Sequence, residues 1–221
     1  MRSYGEYCSL AKSLDVIGNR WTLLIVRELL LRGPSRYTDL RDGLPGIATN
    51  LLADRLRELE EEGLVGRVQA PPPIATTFFR LTPRGEELRP VIERLLLWGA
   101  PLMRSQDPKD IVRSHWLAFA LESMLCDHDP ESPSLTIELR TGDQPILVQT
   151  HDGAVKARLG SAEQPDAVLA GPPRPILGFL IGWIDLADAE AAGVQQDGDA
   201  KAFDRIRGLA ADGPPAAAGA A

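Results

Sequence analysis

Along the first half of the chain, apolar positions recur at helical spacing in short blocks and then switch to two strand-like stretches. Tyr7–Val16 predicts a short helix ended near Gly18. Trp21–Leu31 is apolar almost all round, with Thr22, Arg27 and Glu28 as its polar positions, so it predicts a helix in the middle of a core. Ser35 is placed to cap a short helix through Arg41. Gly43, Pro45 and Gly46 make a turn. Thr49–Glu62 then carries Leu52, Leu56 and Leu59 as one buried stripe, and Gly63 stands where a left-handed cap closes a helix. Strands are expected at Leu64–Gln69 and Thr76–Leu81, joined by a stiff loop at Pro71, Pro72 and Pro73. Thr82 caps a further helix with Pro83 in its first turn. That helix runs towards Trp98 with Leu88, Val91, Ile92, Leu95, Leu96 and Trp98 apolar.

The second half reads differently. Ile111–Leu125 predicts a helix with Trp116, Phe119 and Ala120 on its apolar side. Leu135, Ile137 and Leu139 alternate with Thr136, Glu138 and Arg140, the period of a half-buried strand. Ile146–Thr150 and Ala154–Leu159 flank Asp152 and Gly153, a hairpin turn signal. A short strand is expected at Ala167–Leu169 and one very apolar helix over Ile176–Ala192, with Leu177, Phe179, Leu180, Ile181, Trp183 and Ile184. Asp199 can cap a last helix carrying Phe203, Ile206 and Leu209. After Asp212 only Gly, Pro and Ala follow, a composition that cannot bury a core.

At 221 residues the chain can hold two domains, and 44% apolar with 25% charged residues is ordinary for a globular protein. The polar, proline-containing stretch Ser105–Lys109 marks the boundary. The net charge of −7 looks wrong for a nucleic-acid binder. It is unevenly placed, however. Residues 1–106 hold 15 Lys/Arg against 13 Asp/Glu, whereas residues 107–221 hold 9 against 18. DNA affinity depends on where cations point, so the acidity of the second half is no objection. The pattern contains no apolar run long enough to span a bilayer and no leader, which makes a cytoplasmic protein with no membrane partner the expectation. Cys8 and Cys126 are too few for a disulfide framework. His115, His128 and His151 have no metal-ligand spacing, and the Asp127–Asp129 stretch reads as a solvated loop. With no phosphate loop or nucleophile elbow, no catalytic residue, metal or cofactor is expected, and the chain does not read as an enzyme.

The Thr49–Glu62 helix carries the functional reading. Opposite its leucine stripe stand Asn50, Asp54, Arg57 and Glu61, with Ala53 and Arg55 on the flanks. Glu60, Glu61 and Glu62 crowd its C-terminal end, where they repel phosphate. A DNA backbone therefore meets the N-terminal end, at Thr49 and Asn50, as helix–turn–helix docking requires. Asn50 is a candidate to pair with adenine, and Arg57 or Arg55 with guanine or phosphate. Arg36 and Arg67, on the preceding helix and the hairpin, are candidate phosphate contacts.

In order, GNRWTLLIVRELL, GPSRYTDLRDGLPGI, LLADRLRELEEEGLV and FFRLTPRGEEL, followed by a helix ending in Trp98 and Gly99, resemble the HxlR family of winged-helix regulators, relatives of MarR. The resemblance implies a homodimer joined through the chain's start and Leu88–Met103, with Leu88, Val91, Ile92, Leu95 and Trp98 in the interface. It implies that Thr49, Asn50 and their neighbours enter the major groove of double-stranded DNA and that Arg67–Phe78 forms the wing. The family commonly has Ser where Ala48 stands, so Thr49 is expected to take over the cap. The wing tip has prolines with Thr76 and Thr77 where the family tends to place charges, which predicts weaker wing contacts. Cys8 matches a position at which some members sense oxidants. Only Lys12 lies near it in sequence, and a small buried core residue is the plainer expectation. The hairpin, the apolar helix and the late GVQQDGDAKAFDRI are similar to a sterol-carrier-protein domain, which implies a tunnel for a small hydrophobic ligand. Trp116, Phe119, Phe179, Leu180, Trp183 and Ile184 are its candidate lining, or else fill a core.

The expected fold class is α+β: a winged helix–turn–helix domain over residues 1–104, a sterol-carrier-like domain over 110–210 and a disordered tail over 211–221. The expected function is a homodimeric transcriptional regulator, a repressor on a pseudo-palindromic operator, modulated by an apolar ligand. The alternative is a hydrophobic-ligand carrier whose helical first half serves only dimerisation.

Overall fold

A computed structural model of the chain describes residues 3–70, 76–105 and 109–208. The three prolines at 71–73, part of the 105–109 linker, Leu209 and the tail lie outside them. The chain divides into two units, residues 1–94 and 95–221, which meet within one helix about ten residues before the polar linker stretch.

The first unit is built around α2 (Thr22–Arg32), whose apolar sequence goes to its centre as expected. Ile25, Val26 and Leu29 are buried there with Leu40 of α3 (Tyr37–Gly43), Leu44, and Leu52, Leu56 and Leu59 of α4 (Thr49–Glu61). Leu64, Val65, Phe79 and Leu81 complete the core from the antiparallel hairpin of β1 (Val65–Gln69) and β2 (Thr77–Leu81). Helix α1 (Ser9–Ile17) precedes them. Within this core Glu28 is fully buried and bonds Arg27 at 2.9 Å and Arg32 at 3.1 Å. A carboxylate can be buried there only because both cations accompany it. Burial in turn pulls Arg27 below its ordinary value, against the pull of Glu28.

Two local expectations change. Ser35 does not cap α3. Its hydroxyl donates to the Gly33 carbonyl, Arg36 is the cap residue, and the Arg36 amide donates to Asp39. Ser35 is instead recruited as a bridge, exchanging both backbone hydrogen bonds with Phe79. The expected single helix from Thr82 to Trp98 is two helices, α5 (Pro83–Glu86) and α6 (Arg89–Gly99), followed by a 3-10 helix (Ala100–Ser105). Pro90 explains the break. It has no N–H for the Glu86 carbonyl and its ring crowds that position, whereas in the first turn of α6 the missing donor costs nothing.

The second unit holds a five-stranded sheet in the order β5-β4-β3-β6-β7. Its strands are β3 (Thr136–Arg140), β4 (Ile146–His151), β5 (Ala154–Leu159), β6 (Ala167–Ala170) and β7 (Gln195–Gly198). Only β3 and β6 run parallel; the other neighbours are antiparallel, and Asp152–Gly153 makes the expected β4–β5 turn. Helix α7 (Ser114–Met124) packs on β4 and β5. Ile137, Leu139, Ile146, Leu169, Ile176, Leu180, Phe203 and Ile206 lie within the core, and Leu96, Leu97 and Ala100 pack against it.

The apolar helix expected over Ile176–Ala192 is split into α8 (Pro173–Leu180) and α9 (Leu186–Ala191). Gly182 turns the chain at φ 76, a conformation side chains disfavour, and Asp185 then caps α9 by accepting from Asp188. Strand β7 lies outside what the sequence pattern predicts: its all-exposed Gln195–Gly198 has no apolar alternation. Asp199 does accept from the Lys201 amide, although Ala200 is the cap residue of α10 (Lys201–Ile206). Nor is Asp127 a solvated loop residue. Its side chain is 1% exposed and clasped by Arg205 at 2.8 and 2.9 Å. Hydrogen bonding from Arg205 holds that carboxyl below its usual value, against the effect of burial. Among the described residues no helix is long and apolar enough to cross a membrane.

Candidate functional site

Helix α4 turns its leucine stripe into the first unit and leaves Thr49, Asn50, Asp54 and Arg57 exposed, as the sequence pattern predicts. Its start differs from expectation. Ala48 is the cap residue and supplies no side-chain acceptor, and Thr49 is the first helical residue rather than the cap. The anchor comes from outside the helix: the Tyr37 hydroxyl donates to the Thr49 carbonyl at 2.6 Å. No local signal points to this contact, because its partners are 12 residues apart and on different helices.

The candidate arginines are exposed or half-buried and already engaged. Arg57 bonds Asp54 at 3.1 Å, Arg55 pairs with Glu58, and Arg67 of β1 meets Glu60 at 2.7 Å. Arg67 also stands over the Phe79 ring at 5.2 Å, and Arg36 over Phe78 at 5.7 Å. Such stacking steadies a guanidinium without removing its charge. Residues 35–37 thus touch the hairpin through Ser35 and Arg36 and the start of α4 through Tyr37. At the other end, the Thr82 hydroxyl accepts from the Gly85 amide and donates to the Gly63 carbonyl, at 3.1 and 2.6 Å. Gly63, at φ 69, closes the last turn of α4 region as the sequence predicts. Thr76 lies beside the hairpin, half-buried, with the tip at 71–75 outside the described residues.

Of the expected dimer positions, Val91, Leu95 and Trp98 are 40%, 46% and 73% exposed, and Leu88 is half-buried. Ile92 is the exception: it is the buried residue of α6, 7% exposed within the chain itself. Tyr7, Leu10 and Leu14 near α1 are exposed as well. Cys8 is also exposed, contrary to the expectation of a buried core residue: it sits at the start of α1, outside the helix's single buried position, Ala11.

In the second unit a cleft of about 320 Å³ is lined by Leu102, Met103, Ile111, Trp116, Leu177 and Trp183 among others. Of the six candidate ligand residues only Trp116 and Trp183 reach it. Phe119, Phe179 and Leu180 are buried, and Ile184 packs against the core. Phe179 meets Phe203 edge-on at 5.9 Å and lies under the Arg207 guanidinium at 4.9 Å. The break at Gly182 is the cause, since it detaches Trp183 from the face that α8 buries. Arg104 stands over Trp183 at 5.2 Å, and Arg174 lines the cleft and donates to the Asp110 carbonyl at 3.0 Å. Among the described residues no three His, Cys, Asp or Glu side chains are grouped to hold a metal ion.

The model of the HxlR-like helix-turn-helix family matches residues 16–107. An uncharacterised HTH-type transcriptional regulator of Synechocystis is 38% identical over 88 residues, 40% of this chain and 64% of that protein. The match thus spans less than two thirds of that relative. YvaP of Bacillus subtilis, also named as an uncharacterised HTH-type transcriptional regulator, is 34% identical over 88 residues, 40% of this chain and 81% of YvaP. The solved reduced form of the Bacillus subtilis transcriptional regulator YodB is 29% identical, covering 48% of this chain and 100% of that one, with a TM-score of 0.38. With a leucine-striped helix presenting Thr49 and Asn50 beside a two-stranded hairpin, the chain belongs to the HxlR-like helix-turn-helix family of transcriptional regulators.

Proposed function

We propose that the chain is one protomer of a homodimeric repressor that reads a pseudo-palindromic operator with half-sites about one helical turn apart. Residues 1–104 form the DNA-reading and dimerisation part, with Thr49, Asn50, Asp54, Arg55 and Arg57 at the major groove and Arg36, Arg67 and Thr76 near the backbone. Val91, Leu95 and Trp98 form the dimer contact. Residues 110–210 form a sterol-carrier-like domain. A small apolar ligand there shifts the dimer between DNA-competent and incompetent states, which requires tighter binding to one of them. The exposed thiol of Cys8 is a second point at which the dimer can be modified.

The observation that carries the reading is the exposed apolar row on α6 in a chain that also presents Thr49 and Asn50 to solvent. Apolar side chains repeated on one helix face are costly in water and are covered by a second copy in a symmetric contact. The test combines sedimentation with operator binding. Leu95→Glu is expected to give a folded monomer that has lost operator affinity. Asn50→Ala with Arg57→Ala is expected to leave the dimer intact and abolish sequence-specific binding. A double variant that still binds its operator normally sinks the groove assignment and leaves the carrier reading standing.

A further inference from the structure

We infer that the cleft between the 3-10 helix, α7 and α8 is the ligand site of the second unit and that it takes a compact aromatic carboxylate. For its consequence on DNA binding this rests on the ligand-gating reading above, and it replaces the purely apolar occupant with one that carries a charge.

Size comes first. Small-molecule pockets run from roughly 300 to 1,000 Å³, and this cleft, at about 320 Å³, stands at the lower limit. It suits one or two fused rings. A longer occupant would need space in the interior behind α8, where Phe179, Leu180 and Phe203 are at most 3% exposed. Shape and chemistry come next. Trp116 and Trp183 contribute flat aromatic surface and Met103 a polarisable one, and rings pack on both with a specific geometry.

Charge then selects the head group. The ionisable residues of the lining are Arg174 and Asp110, and Arg104 adds a second cation over Trp183. Two guanidinium groups, Arg174 in the lining and Arg104 over Trp183, thus stand beside the aromatic surface, with Asp110 as the carboxylate of the lining. The Arg174 contact to the Asp110 carbonyl holds that guanidinium at the cleft wall. A planar guanidinium matches a carboxylate in a paired geometry that an alcohol or an alkane cannot reproduce. The location also bears on regulation. Leu102 and Met103, which line the cleft, follow directly on α6, the helix that carries Val91, Leu95 and Trp98.

The experiment titrates the full chain by calorimetry with 2-naphthoate and with its uncharged counterpart 2-naphthalenemethanol. Naphthoate is expected to bind one per chain and about tenfold more tightly than the alcohol. Arg104→Gln with Arg174→Gln is expected to bring the acid to the level of the alcohol. Leu102→Trp, a change at a side chain 66% exposed that does not disturb the core, is expected to block both probes. Equal binding of acid and alcohol to the unaltered chain overturns the charge assignment. Binding that survives Leu102→Trp overturns the location, and binding of neither probe overturns the whole inference. Operator affinity measured with naphthoate bound separates this from the gating reading. Unchanged affinity sinks the gating and leaves the site. Release of operator by the alcohol, with no effect of the acid, keeps the gating and sinks this ligand class.

Discussion

The hydroxyl of Tyr37 donates to the carbonyl of Thr49 across 2.6 Å and so fastens α3 to the first residue of α4, the helix proposed to face DNA. Ala48 supplies no capping side chain, so this contact is a side-chain tether on the first turn of α4 that comes from outside the helix. Tyr37→Phe keeps the ring and removes the bond. One intramolecular hydrogen bond contributes about 1 kcal/mol, so the variant is expected to unfold at lower denaturant and to bind operator about fivefold more weakly. Chemical denaturation and fluorescence anisotropy measure the two effects, and unchanged operator affinity would show that the helix start needs no such tether.

Arg67 is expected to be restrained by Glu60, which it meets at 2.7 Å. Glu60→Gln releases that cation and removes one negative charge from the surface proposed to face phosphate. Exposed ion pairs are worth about 0–1 kcal/mol, so a gain of up to about fivefold in DNA affinity at low salt is expected. Arg67→Ala should instead lower affinity for all sequences alike and reduce the salt slope by about one. Binding isotherms over a salt series distinguish these outcomes.

Gly43 presses on the buried carboxylate of Glu28. A Cβ at that position would lie 2.3 Å from Oε2, and Glu28 is fully buried between Arg27 and Arg32. Gly43→Ala must push the carboxylate off its partners, with the ~1–3 kcal/mol cost typical of overpacking. Thermal unfolding of the variant reads the loss, and an unaltered melting temperature would mean that Glu28 can shift without penalty.

The Asp127–Arg205 pair sets an acid limit on the second unit. The folded value of Asp127 lies below its unfolded value of about 3.9. Its contribution is therefore complete above the unfolded value and is lost as the pH falls through the folded one. Asp127→Asn is expected to lower the melting temperature at pH 7, with a gap from the unaltered chain that closes below about pH 4. A gap that stays constant across the titration would assign the loss to packing instead.

The legible parts of the molecule are those encoded by near neighbours. Leu52, Leu56 and Leu59 give the buried face of α4, and Asp152–Gly153 gives the β4–β5 turn, because periodicity and turn chemistry act over a few residues. Where the sequence misleads, a distant partner or a single backbone choice decides. Pro90 and Gly182 each divide a run whose apolar spacing reads as one helix. Strand β7 has no apolar residue to announce it and is defined by pairing to β6. Asp127 reads as a loop residue because Arg205 is 78 positions away. The cleft escapes for the same reason: Met103, Trp116 and Trp183 are separated in sequence, while the more apolar Phe179 and Leu180 are spent on the core.

The arginines that face outward from α4 and β1 each hold a carboxylate of their own. On random DNA, affinity comes almost wholly from cations meeting phosphates, and a genome offers such sites in vast excess. Internal pairing weakens that indiscriminate attraction at every site. Under the proposed reading, an operator that supplies base contacts to Asn50 compensates for parting the pairs, whereas bulk DNA does not. On that reading, residence on the wrong sequence is shortened and less of the chain is held there during the search for the right one.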